Sequence, residues 1–335
     1  MCTSFKMKPA SDGSVVVGRS MEFPDIVPYA LVALPVGYEG TATPNGSAAG
    51  KKWTGAYGVV GICAFGKEGW LTDGINTEGV SAHLLYMSDG FCTYPAFKGD
   101  GSDVAQIDLI AFLLSTCSSV SEVKQAVQGI TVWGTDPGLG STLASHFFVH
   151  DPTSSIAIEF LPDGTLSVVD NPTGVGTNAP YLDWHLLNLR NYIGFDAFSP
   201  DAGPIGGITV APFGQGQGLN VLPGGYTPPD RFVRAAVLVQ LASRPNTGDE
   251  AEQTVGHLLN TFDIVRGTVL EHMGGKTVSE ETTYDAIFNL TSLRFAYRTV
   301  SDPSWYAIDL SAVDFTKPAR TQAMSFSGGF TSVSL

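Results

Sequence analysis

The chain is predicted to adopt an α+β fold of stacked antiparallel sheets flanked by helices. Three observations carry this. Strand-like segments come first, then helical ones, then strands, helices and strands again, which is not the βα alternation of a parallel sheet. The 39 glycines and 20 prolines are spread along the chain and supply turns throughout. With 43% hydrophobic and 15% charged residues, the 335-residue chain has ample material for a core and too little charge for a disordered protein.

The elements follow in order. The start alternates, reaches the turn signal Ser11-Asp12-Gly13, and continues as Ser14-Val15-Val16-Val17-Gly18-Arg19, which reads as a β-hairpin. Strand-like runs cover Tyr57 to Ala64, Trp70 to Asp73 and Val80 to Tyr86. A helix is expected over Val104 to Cys117, and a second from Ser119, where Ser-Val-Ser-Glu to Glu122 has the capping-box form. Strands are expected over His146 to His150, Ser155 to Leu161 and Thr165 to Val169, joined by Asp-Pro and Pro-Asp-Gly turns. Helices are expected over Trp184 to Tyr192, Arg231 to Ser243 and Glu250 to Asn260, and strands over Tyr284 to Arg298 and Trp305 to Leu310. The Gly-rich stretch Gly214 to Gly218 fits neither dinucleotide nor P-loop spacing and reads as a loop.

The net charge of −14, with no Lys/Arg cluster, argues against nucleic acid or an anionic membrane surface as partner. No run approaches the roughly 18–20 apolar residues of a membrane span, and the N-terminus lacks a signal-peptide pattern, so a cytoplasmic protein is expected. The four cysteines show no CxxC spacing, and Cys63, Cys92 and Cys117 read as small buried hydrophobes. His146 and His150 lie on a strand, about 13 Å apart by strand rise, too far to share one metal. Neither a G-x-S-x-G elbow nor an H-E-x-x-H motif is present.

Cys2 is singled out by position. Removal of Met1 would leave a residue carrying both a thiol and a free α-amine, with reference pKa values of about 8.5 and about 7.7–8.0. The amine is then a built-in base for its own thiol. Reflection about the Ser11-Asp12 turn puts residue 2 opposite about residue 21, within Arg19-Ser20-Met21-Glu22. Arg19 would favour the thiolate, and Glu22 could hold the α-ammonium. The same pattern also fits an ordinary hairpin with a surface ion pair.

Met1-Cys2-Thr3 and Gly18-Arg19-Ser20-Met21-Glu22-Phe23 resemble the choloylglycine hydrolase family, which contains conjugated bile acid hydrolases and penicillin V acylases. The resemblance continues, in family order, through Asp73-Gly74-Ile75-Asn76 with Glu78-Gly79, then Gly174 to Pro180 with Asp183-Trp184-His185. It resumes at Gly216 to Leu219, Leu222-Pro223-Gly224, and Thr227-Pro228 with Asp230-Arg231-Phe232. It implies one N-terminal-nucleophile domain over residues 2–335, a four-layer αββα sandwich of antiparallel sheets. It further implies a homotetramer that needs no metal or organic cofactor and acts on linear amides.

By the same resemblance Cys2 matches the nucleophile, Arg19 and Arg231 the two arginines of the site, and Asn178 the side-chain donor to the oxyanion. Tyr86 matches the backbone donor, where bile salt hydrolases usually carry asparagine. Glu22 stands where the family usually has aspartate and reaches one methylene further. Phe23, Phe65 and Tyr86 are candidates for an aromatic acyl pocket. On Tyr86 and Phe23 the expected activity is that of a penicillin V acylase, with bile salt hydrolysis and acyl-homoserine lactone acylase activity as alternatives. A non-catalytic small-molecule binder of the same fold is the alternative of another class.

Overall fold

The computed structural model describes all residues except 25, 89, 274, 326, 327 and 329–335. Two antiparallel sheets lie face to face. The first runs in the order Val175–Gly176, Cys2–Lys6, Val16–Phe23, Lys276–Asn289, Arg294–Thr299, Asp302–Asp309, with Val269–Met273 paired to the outer part of Lys276–Asn289. The second runs Leu166–Asp170, Ser155–Phe160, Ser145–His150, Ser81–Tyr86, Leu71–Asn76, Val59–Ala64, Tyr29–Leu34, Arg320–Ala323.

Helices cover the outer faces and complete the αββα order. On the second sheet, α1 (Leu109–Thr116) and α2 (Val120–Gln128) bury Leu113, Leu114, Val123 and Val127 against Cys63, Leu84, Phe147 and Ile158. On the first, α4 (Pro228–Leu241) packs on Cys2–Lys6 and α5 (Gly248–Leu259) on Val16–Phe23, while α3 (Leu182–Asn188) packs on α4. The first sheet is therefore covered on both faces. This is why Val16–Phe23 is buried almost without interruption instead of alternating.

Several elements differ from the sequence reading. The predicted first helix begins later, at Leu109, because Asp103–Ala105 forms a short parallel pair with Thr131–Trp133. The Tyr284 to Arg298 segment is a hairpin, turning between Asn289 and Arg294. The Trp184 to Tyr192 helix changes to a 3-10 turn over Leu189–Tyr192. At α2 the Ser119 hydroxyl accepts from Glu122 N at 3.2 Å, whereas the Glu122 carboxylate reaches Ser118 N instead of Ser119 N. Of the three cysteines read as buried, Cys63 and Cys117 are buried, their thiols pushed up to about 11 by burial, and Cys92 is only half-buried. Among the described residues no helix is long and apolar enough to cross a membrane.

Two local features position the site. The Ser11-Asp12 turn sets Cys2 across from Met21, with Gly13 in the left-handed region at φ +89°. The two-residue strand Val175–Gly176 pairs with Ser4 and Phe5 and delivers Asn178 beside Cys2. A Cβ on Gly176 would lie 2.6 Å from the Phe148 ring, which packs between the sheets. Gly176→Ala is therefore expected to lower unfolding stability by about 1–3 kcal/mol in urea titration, through overpacking.

Candidate active site

The hairpin register decides which side chains Cys2 meets. Cys2 pairs with Met21 and Ser4 with Arg19, and strand alternation sends Cys2, Ser4, Arg19 and Met21 to the face that looks at the second sheet. Arg19 Nη2 donates to Cys2 Sγ at 3.3 Å and to Leu84 O at 2.9 Å, and Arg19 Nη1 donates to Ser20 O. Met21 Sδ lies 3.8 Å from the sulfur. Arg19 is fully buried; burial opposes its charge, but the Asp73 carboxylate, 2.9 Å from Nε, together with Cys2, Tyr284 and Glu22 outweighs this and keeps it protonated.

Arg231 works from the other face. Thr227 caps α4 by accepting from Asp230 N, and Pro228 and Pro229 open the first turn, which suits proline. Two residues further, Arg231 points under the N-terminal strand. Its Nη1 donates to Cys2 O at 2.5 Å and to Thr3 Oγ1 at 2.8 Å, its Nη2 to Asn178 Oδ1 at 2.6 Å, and its Nε to Tyr226 O. Asn178 Oδ1 also accepts from Cys2 N at 2.8 Å, while its Nδ2 donates to Tyr86 O at 2.7 Å. With the carbonyl end occupied twice, the Asn178 amide is oriented by contacts, and its NH2 group faces the Tyr86 end of the neighbouring strand. Cys2, Arg19, Tyr86, Asn178 and Arg231, drawn from five separate segments, thus converge.

Glu22 is placed differently from the thiol. Its N–H and C=O pair with Met1, so Glu22 stands beside the residue ahead of Cys2, and its side chain lies on the helix-facing side with Arg231. Both carboxylate oxygens are buried without a hydrogen bond of normal geometry, and the Ser20 hydroxyl is the uncharged side-chain group that acts on them. Burial pushes Glu22 up to about 7, against the pull of Arg231 and of the Met1 ammonium. That ammonium is instead paired with Glu280 at 2.8 Å.

An apolar pocket of about 560 Å³, counting its solvent-filled mouth, opens over Cys2. Phe23, Phe65 and Tyr86 all line it, together with Tyr29 and Trp70. Phe65 adopts φ +56°, a left-handed backbone that is costly for an aromatic residue, and its ring meets Trp70 edge-on at 6.2 Å. The sequence reading missed Tyr29, Trp70, Leu84 and Met21 as pocket residues. Only Met21 carried a local signal, as the residue reflected onto Cys2. Chemically, the assembly offers a thiol beside an aligned guanidinium, an amide donor and a dry apolar surface.

The family model of linear amide C–N hydrolases, choloylglycine hydrolase family, matches residues 2–321. A bile salt hydrolase/transferase of Clostridium perfringens is 27% identical over 323 residues, 93% of each chain. A conjugated bile acid hydrolase of Lactobacillus gasseri is 30% identical over 224 residues, 65% of this chain and 66% of that one. Among solved structures, a variant of the Clostridium perfringens conjugated bile acid hydrolase superposes with a TM-score of 0.86 at 24% identity, over 99% of this chain and 100% of the other. Penicillin V acylase from Agrobacterium tumefaciens gives a TM-score of 0.78 at 19% identity, over 96% and 91%. The chain belongs to the choloylglycine hydrolase family of linear amide C–N hydrolases.

Proposed function

We propose that the chain hydrolyses the amide of a conjugated bile salt or a comparable N-acyl amide with a bulky apolar acyl group, using Cys2 as nucleophile. The observation that carries this is the position of Cys2 Sγ, 3.3 Å from Arg19 Nη2 and on the wall of the apolar pocket. Once Met1 is removed, the Cys2 α-amine takes the thiol proton and the sulfur attacks the acyl carbon. The oxyanion is held by the Tyr86 N–H and by Asn178 Nδ2; one such donor lowers a barrier by about 2.7–4 kcal/mol. The α-ammonium passes its proton to the leaving amine as the C–N bond breaks. Water then gives a proton to the α-amine, attacks the thioester, and the sulfur departs and is reprotonated. Arg231 fixes Asn178 and the Cys2 carbonyl, and Glu22 faces the ammonium that processing creates.

The sequence reading put penicillin V acylase activity first. The bile salt hydrolases among the relatives support placing bile salts ahead of it. The second reading keeps one specific support: Phe23, Tyr29, Phe65, Trp70 and Tyr86 make an aromatic wall suited to an aryl ring such as phenoxyacetyl. Association into a homotetramer is proposed as well, supported by an apolar stretch in which Ile193 is 88% and Phe198 81% exposed.

Three outcomes are expected. Purified protein releases amine from glycocholate faster than from penicillin V or a long-chain acyl-homoserine lactone, and Cys2→Ala releases none; amine release by Cys2→Ala would remove the nucleophile assignment. Phe198→Ser with Ile193→Ser lowers the mass measured by analytical ultracentrifugation, and an unchanged mass rejects this surface as an interface. The third concerns Glu22 in protein whose intact mass retains Met1. An acid with a raised folded-state pKa binds more protons folded than unfolded, so stability falls as pH rises from its ordinary value towards about 7. Glu22→Gln removes this loss and should gain up to about 3 kcal/mol on wild type between acid and mildly alkaline pH. Loss of Met1 should shrink the difference, because the new ammonium lowers the carboxylate's pKa.

A further inference from the structure

The run Asp73-Gly74-Ile75-Asn76 takes no part in the chemistry described so far. Asn76 closes the end of α1, donating from Nδ2 to Leu114 O at 2.9 Å and Cys117 O at 2.7 Å. Asp73, fully buried, does something else. Its Oδ1 accepts from Arg19 Nε at 2.9 Å and from His83 Nδ1 at 2.8 Å, and its Oδ2 accepts from the Tyr284 hydroxyl. His83 is held neutral by burial, with Nδ1 protonated towards Asp73 and Nε2 facing the Ser81 hydroxyl at 3.2 Å. Three donors thus converge on this one buried carboxylate. Among the described residues, Asp73 is the carboxylate that hydrogen-bonds Arg19.

We propose that Asp73 is a charge-setting positioning residue of the site: it neutralises the guanidinium that touches Cys2, so that Arg19 serves as an aligned N–H donor without the full attraction of a lone buried cation. This rests on Cys2 being the nucleophile. The benefit is kinetic. A thiolate over-stabilised by an uncompensated cation is a weaker nucleophile towards the acyl carbon. Arg19 does not depend on Asp73 for its place, since Ser20 O and Leu84 O also hold it. Replacing Asp73 by its amide therefore changes charge more than geometry. The other ionisable groups around Cys2 are Glu22 and Arg231 from the helix side, Tyr29 and Tyr86 from the second sheet, Tyr284 from the central strand, and the Met1 ammonium with Glu280.

The test is the pH dependence of Cys2 alkylation by iodoacetamide, read from the mass of the Cys2 peptide. It needs no substrate, so it stands even if none of the proposed amides is hydrolysed. Asp73→Asn is expected to move the acid limb of the rate profile about one pH unit or more to lower pH, a rise of about tenfold in rate below neutrality. In the Arg19→Leu background the same substitution should change the rate less than about threefold, because Asp73 then no longer acts on Cys2 through the guanidinium. A limb that stays in place or moves to higher pH overturns the proposal, as does an equal shift in both backgrounds. A second measurement covers the case in which Asp73→Asn does not fold. Arg19→Leu leaves Asp73 buried without its cation, so its Tm should fall relative to wild type as pH rises from acid to mildly alkaline. Parallel Tm profiles overturn the assignment of Asp73 as the counter-charge.

Discussion

The pairing of Cys2–Lys6 with Val16–Phe23 is the constraint on which the site depends. Side chains on a strand alternate between faces, so a slip of one residue would carry Arg19 and Met21 away from the thiol and bring Ser20 and Glu22 to it. The observed register separates two tasks. The face towards the second sheet receives the sulfur, its arginine and the apolar pocket, and the face towards α4 receives Thr3, Glu22 and Arg231. The register is held at both ends, by the tight turn at Ser11-Asp12 and by the backbone bonds between Met1 and Glu22.

Placing charge in such an interior is costly, and the surroundings answer it group by group. Arg19 and Arg231 are both fully buried. Arg19 faces Asp73 and donates to two carbonyls, and Arg231 donates to two carbonyls, a hydroxyl and an amide oxygen. Every nitrogen of the two guanidinium groups thus has a protein acceptor, which offsets part of the cost of burying an ion. Glu22 departs from this pattern. Its carboxylate is pushed up to about 7 by burial, against the pull of Arg231 and of the Met1 ammonium.

The pocket has the opposite character. Apart from Cys2 and Thr72 its lining is made of apolar and aromatic residues, brought together from the first sheet, the second sheet and the loops beyond Ile107. A dry wall on one side of the sulfur and a polar one on the other suits a substrate with an apolar acyl half and a polar amine half. It also raises the strength of each hydrogen bond made at the reacting carbonyl, because water competes less.

Local signals in the chain determined much of this. The turn residues and the alternation around them placed residue 2 opposite residue 21, because these rest on short-range geometry, and the resemblance carried by the ordered motifs pointed to Asn178, Arg231 and Tyr86. Tertiary structure decided the rest. The face on which Glu22 lies follows from how the strand continues into Met1 and from the helix packed over it. Tyr29 and Leu84 enter the pocket from strands distant in sequence and Trp70 from the turn before another, and the start of α1 depends on the pairing of Asp103–Ala105 with Thr131–Trp133. The link from Asp73 to Arg19 crosses from one sheet to the other. Strand and turn preferences act over a few residues, and contacts between sheets form only when the layers stack. The sequence by itself therefore singled out the candidate site residues, and only the packing of the two sheets decided which charges face them.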